Sequence, residues 1–198
     1  MRPAGIDGRT KYGKEWILDH TRLGCELVTE EQMHTAMRQA AAIRALPEVA
    51  AIFDDGHAEI SAFATDAETG VEMKARPDWT SPAGGGVILL DLKTCADASP
   101  EGFAKAVANF AYPIQQVHYC DVYEAATGVE VQAFVFAAVE NAYPYAAAVY
   151  CIPEEWRVVA ERERRRLIAL YAECKASGHW PGFADTVQLL PMPRWLAL

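Results

Sequence analysis

The chain has 198 residues, 52% hydrophobic and 23% charged, and its 18 lysines and arginines against 27 aspartates and glutamates give a formal net charge of −9. That length is ample for one cored α/β domain spanning residues 1–198, and no composition shift marks a second. No stretch has the long uncharged apolar run of a membrane helix, Met1-Arg2-Pro3-Ala4 does not open a secretory signal, and the acidity speaks against a generic DNA-coating protein, so a cytoplasmic protein away from membranes is expected.

The N-terminal residues read as helical, with a run over 30–46 that contains His34. Residues 58–64 alternate as a strand, Asp66-Ala67-Glu68-Thr69-Gly70 reads as a turn, and 71–80 reads as the next strand. If the loop is 67–70, Glu59 falls opposite Asp78, whereas a slip of one residue would send it to the other face. Pro77 cannot donate to a ladder and predicts a bulge beside Asp78 that re-aims its side chain.

Ala83-Gly84-Gly85-Gly86 is a hairpin signal; centred between Gly84 and Gly85, it pairs Pro82 with Val87, Thr80 with Leu89 and Asp78 with Asp91. The strand over 87–93 is apolar until it ends on Asp91 and Lys93, which share one face because side chains two apart on a strand do. Cross-strand Cβ atoms lie about 4.5–5.5 Å apart, where two bare carboxylates repel; a hard divalent cation such as Mg²⁺ turns that repulsion into a binding site.

Ser99 as cap and Pro100 as first helical residue open a helix over 100–111, and Pro113 separates it from another over 113–126. Gln115 and Tyr119, one turn apart, share a face of the second helix, and His118 points off it. β-branched and aromatic content predicts strands over 130–140 and 146–151, and a helix follows over 153–176. Its alternating Glu161-Arg162-Glu163-Arg164 reads as a solvated face before it reads as a DNA contact, and the tail with Trp180 and Trp195 reads as packed but irregular. The whole is an α/β fold, a central mixed sheet flanked by helices. The five cysteines contain no Cys-x-x-Cys pair, so reduced thiols are expected rather than a zinc or iron–sulfur site.

Glu59, Lys74-Ala75-Arg76-Pro77-Asp78-Trp79, Leu90-Asp91-Leu92-Lys93-Thr94 and Gln115-Gln116-Val117-His118-Tyr119 together resemble, in order and spacing, the PD-(D/E)XK nucleases, and most closely the RecE-type exonucleases (exodeoxyribonuclease VIII). Further likeness lies in Asp7-Gly8-Arg9-Thr10-Lys11-Tyr12-Gly13-Lys14, Phe136-Ala137-Ala138-Val139-Glu140, Pro144-Tyr145, Trp180-Pro181-Gly182-Phe183 and Pro191-Met192-Pro193-Arg194-Trp195, so it covers nearly the whole chain. The resemblance implies a restriction-endonuclease-like core and a Mg²⁺-dependent exodeoxyribonuclease, with Mn²⁺ as a possible substitute, that degrades linear duplex DNA from 5′ to 3′ for recombination or prophage DNA processing. Carried over, Asp78, Asp91, Glu59 and the main-chain carbonyl of Leu92 are metal ligands, Lys93 positions or activates the attacking water, Gln115 and Tyr119 support the metal-bound water and contact DNA, and Arg76 contacts DNA. It also implies duplex DNA ends as partner, a homo-oligomeric ring and a single-strand annealing protein.

The family carries a histidine-bearing helix ahead of the segment resembling Asp7 to Lys14, and no counterpart is expected in this chain: His34, in the helical run, does not match the family's position, and neither it nor His57 is expected to replace that histidine. The runner-up expectation is therefore a catalytically impaired DNA-binding or assembly module. Third comes another class, a small-molecule hydrolase or structural piece, against which stands the lack of a nucleophile elbow or phosphate loop.

Overall fold

A computed structural model describes residues 6–24, 26–184 and 186–193, so the expectations for Cys25, Arg194 and Trp195 lie outside the described residues. In chain order the elements are α1 (Lys11–Arg22), α2 (Glu30–Arg44), α3 (Pro47–Phe53), β1 (His57–Ala58), β2 (Ala62–Thr65), β3 (Glu72–Ala75), β4 (Trp79–Ala83), β5 (Gly86–Cys95), α4 (Pro100–Asn109), α5 (Tyr112–Thr127), β6 (Val131–Glu140), β7 (Ala147–Tyr150) and α6 (Glu154–Ser177). Five strands form a mixed sheet in the order β1-β4-β5-β6-β7, and β2 and β3 form a separate antiparallel pair. Only β5 and β6 run parallel, joined by the crossover through α4 and α5.

Strand alternation divides the interior into two layers. Val87 and Leu89 of β5 and Phe134, Phe136 and Ala138 of β6 face α4 and α5, where Phe103, Val107 and Val122 complete a core that the β2–β3 pair joins through Ala62, Met73 and Ala75. Leu90, Val135, Ala137 and Val139 point the other way, onto Ile43 of α2 and Val49 of α3. A sheet with both faces covered must be apolar on both, which is why β5 and β6 are nearly continuous hydrophobic runs.

The predicted registers hold where the ladders run: Pro82 pairs with Val87 and Thr80 with Leu89, and the β2–β3 register, Ala62 with Ala75 and Thr65 with Glu72, continues into the Glu59 N–H donating to the Asp78 carbonyl at 3.1 Å. The expected pair of Asp78 with Asp91 is not part of the ladder, which stops at Trp79 and Leu90. The strand extents need correction. The strand expected over 58–64 is broken, because Glu59 adopts φ 58° and sends β1 and β2 into different sheets; that over 71–80 is interrupted at Arg76-Pro77-Asp78. Pro77 stops the β4–β5 ladder, whose first pair is Trp79 with Leu90, instead of making the expected bulge. The run over 30–46 closes at Arg44, and Pro47 opens a separate α3, as proline at a first helical turn does. Ser99 caps α4, its hydroxyl accepting from Gly102 N–H at 3.1 Å.

Arg164 departs most from expectation. Rather than sitting on a solvated face of α6 it is 7% exposed, bound to Asp121 at 2.7 Å, with its Nε donating to His118 Nδ1 at 3.3 Å. A guanidinium only donates, so Nδ1 accepts and the ring proton resides on Nε2, which faces the Lys74 carbonyl at 3.2 Å. Helices α5 and α6 and strand β3 are tied through one neutral imidazole. Burial holds the His118 pKa below the usual histidine value, and the Arg164 charge adds to the effect. The unfolded chain therefore takes this proton first, near pH 6.5, so stability is full above that value and is lost as the pH falls through it towards the lower folded value. Denaturation midpoints of the wild type should fall relative to those of His118→Gln between about pH 7 and pH 5; parallel curves would remove His118 from the acid response.

Candidate active site

Asp91 lies on the α5-facing side of β5 by the alternation that buries Val87 and Leu89, and it is 3% exposed. Lys93, two residues on, shares that side, and its ammonium is ion-paired with Asp91 Oδ1. From the first turn of α5, Gln115 completes the group: its Nε2 donates to Asp91 Oδ2 at 2.7 Å and its Oε1 accepts from Lys93 Nζ at 2.9 Å. A carboxylate only accepts and an ammonium only donates, so both partners fix the same orientation of the amide.

Asp78 reaches the site from the other strand edge. With Pro77 in place of an N–H donor the ladder ends at Trp79, and Asp78 Oδ2 accepts from Leu92 N–H at 2.6 Å where a main-chain oxygen would otherwise sit. A strand residue presents N–H and C=O to the same edge, so the Leu92 carbonyl also faces the Asp78 side, opposite a proline with no proton to offer it.

Burial pushes the Asp91 carboxyl above the usual carboxylate range; the Lys93 ammonium and Gln115 amide pull it down, and the Asp78 charge pushes it up. Asp91 Oδ1 is buried, and the Lys93 ammonium is in direct contact with it. A carboxylate with one contact per oxygen keeps lone pairs for a further partner. Two like charges beside a carbonyl, one of them buried, are a donor set that fits a hard divalent cation.

The other expected residues fall elsewhere. Glu59 does not turn to Asp78; its carboxylate meets Arg76 Nε at 2.9 Å, both side chains more than half exposed. Consistent with that, no group of three or more His, Cys, Asp and Glu side chains is placed to hold a metal among the described residues. Tyr119 packs against the core beside Phe134, ring centroids 6.3 Å apart. The aromatic ring at Lys93 is that of Tyr112, with Nζ 4.5 Å from its centroid. Starting the second helix at Pro113 hid this residue: one position earlier, Tyr112 stands three residues before Gln115 on the same face.

The fold is that of the PDDEXK-like nucleases. A crystal structure named "Putative exonuclease", from Eubacterium rectale, superposes with a TM-score of 0.63 at 15% identity, covering 95% of this chain and 74% of its own. The crystal structure of SSO0001, 17% identical over 71% of this chain and 65% of its own, reaches a TM-score of only 0.37, too low to argue from. No curated protein sequence matches. The family model for the PDDEXK-like domain of unknown function DUF3799 matches residues 10–192, nearly the whole length, and the chain belongs to that family.

Proposed function

We propose that this protein is a divalent-metal-dependent deoxyribonuclease that hydrolyses phosphodiesters of linear double-stranded DNA from 5′ to 3′, as the RecE-type resemblance implies, in recombination or phage DNA processing. The observation that carries this reading is the convergence of Asp91, Lys93 and Gln115 on one side of β5, with Asp78 against Leu92 at its edge. Membership in a PDDEXK-like family and the superposition on the Eubacterium rectale protein support it.

Asp78, Asp91 and the Leu92 carbonyl would hold the ion, Mg²⁺ or Mn²⁺, with Glu59 available only if it leaves Arg76. Such an ion lowers the pKa of its water and polarises a phosphoryl oxygen. Lys93 meets the attacking water and the scissile phosphate, where its compact charge steadies the developing negative charge. Gln115 keeps that ammonium and the Asp91 carboxylate in fixed relation. Arg76, exposed and paired with Glu59, meets the DNA backbone in this reading, whereas the packing of Tyr119 in the core argues for support of α5 over a DNA contact. A homo-oligomeric ring, a single-strand annealing partner and residues 1–198 as one nuclease-like domain belong to the same proposal.

The second reading, a DNA-binding or assembly module without turnover, is favoured by one observation: Glu59 pairs with Arg76, leaving two acids at the site.

Calorimetric titration with Mg²⁺ or Mn²⁺ should give binding to the wild type and loss of most of the affinity in Asp91→Ala; equal isotherms would make these acids structural. Lys93→Ala should keep the ion yet lower the cleavage rate about 10²–10⁴-fold on 5′-phosphorylated linear duplex. Wild-type protein that binds duplex ends but leaves them intact with either ion would replace the first reading by the second.

A further inference from the structure

The Lys93 side chain is only 16% exposed, and its ammonium lies beside the first turn of α5. Removing a charge from water is costly, and the positive end of a helix is an unfavourable neighbour for a cation. Asp91 and Gln115 offset part of that cost. The remaining contact is the ring of Tyr112, whose negative face attracts a cation within about 6 Å of its centroid, and more strongly where water is excluded; here the separation is 4.5 Å.

Tyr112 is packed among three other rings. It is the first residue of α5, after Ala111 in the left-handed region at φ 54° and before Pro113, so its backbone direction is set on both sides. Its ring stacks at 5.7 Å on Phe136 and at 5.7 Å on Phe110, with Phe103 tilted at 6.1 Å. Phe136 is fully buried in the central sheet, and its residue pairs with Asp91 across the parallel ladder. The platform under Lys93 is thus anchored to the strand next to the one that carries the lysine.

We propose that Tyr112 is the positioning residue for Lys93, its ring face holding the ammonium at the site. This rests on the reading of Lys93 as the group that meets water and phosphate. It makes the ring face, and not the phenolic hydroxyl, the functional part of Tyr112. Phenylalanine therefore preserves the function, and an apolar chain of similar bulk without a π-face does not.

The test compares Tyr112→Phe and Tyr112→Met with the wild type by two readouts, with melting temperature as a folding control. Methionine fills the ring's space with a flexible apolar chain, so the fold is retained. In NMR spectra of protein labelled at lysine Cε, assigned through Lys93→Arg, the Lys93 methylene signals should lie upfield of the other lysines in the wild type and in Tyr112→Phe, and return to the common position in Tyr112→Met. In cleavage assays Tyr112→Phe should stay within about threefold of wild-type kcat and Tyr112→Met should fall about tenfold, with KM for DNA unchanged in both. Lys93 signals at the common position in the wild type would overturn the proposal, as would equal losses in the two variants or an undiminished kcat in Tyr112→Met. A wild type without cleavage would overturn the nuclease reading instead, and the two failures are told apart because the lysine spectrum needs no turnover.

Discussion

An acid 3% exposed in the middle of the central strand is the constraint around which this molecule is arranged. Asp91 stands where β5 would otherwise continue its apolar face, and a lone buried carboxylate would lose its proton only at great cost. Two neighbours make the charge tolerable, and they come from different distances in the chain: Lys93 from the next residue on the same face, Gln115 from the helix that crosses back over the sheet. The pairing of Asp91 with Gln115 thereby sets where α5 lies, and α5 in turn brings Tyr112 under the lysine.

Pro77 has the complementary effect on the other edge. By withholding a backbone proton it ends the β4–β5 ladder one residue short of Asp78, so a side-chain oxygen takes the Leu92 N–H that a main-chain carbonyl would have taken. A broken ladder in the middle of a sheet is ordinarily a defect. Here it opens the strand edge beside Asp78, Asp91 and the Leu92 carbonyl, and apolar layers cover both faces of the sheet around the break. The likeness to the Eubacterium rectale structure at 15% identity lies in that layered frame, which many apolar combinations can fill.

The network through His118 and Arg164 shows a second use of buried charge, with no part in the proposed chemistry. Arg164 reaches from α6 to Asp121 and His118 on α5, and His118 reaches on to the main chain of β3. These contacts fasten the β2–β3 pair, which lies outside the main sheet, to the helices that cover it.

Local chemistry made much of this legible from the residues in order. The glycines at 84 and 85 dictate a tight hairpin, so the pairing of Thr80 with Leu89 follows from turn geometry; a loop over 67–70 likewise places Glu59 opposite Asp78, and Ser99 before Pro100 marks a helix start. The shared face of Asp91 and Lys93 follows from strand pleat alone. Side-chain choices between distant segments were decided only by the folded chain. Glu59 lies in the expected register yet turns to Arg76, Arg164 leaves the solvated face its neighbours suggest because Asp121 and His118 lie within reach, and Tyr112, which the sequence pattern did not single out, opens α5 and presents its ring to Lys93. Backbone pattern is written in neighbouring residues, whereas the partner of a charge or a ring depends on which side chains the packed helices bring within a few ångströms of it.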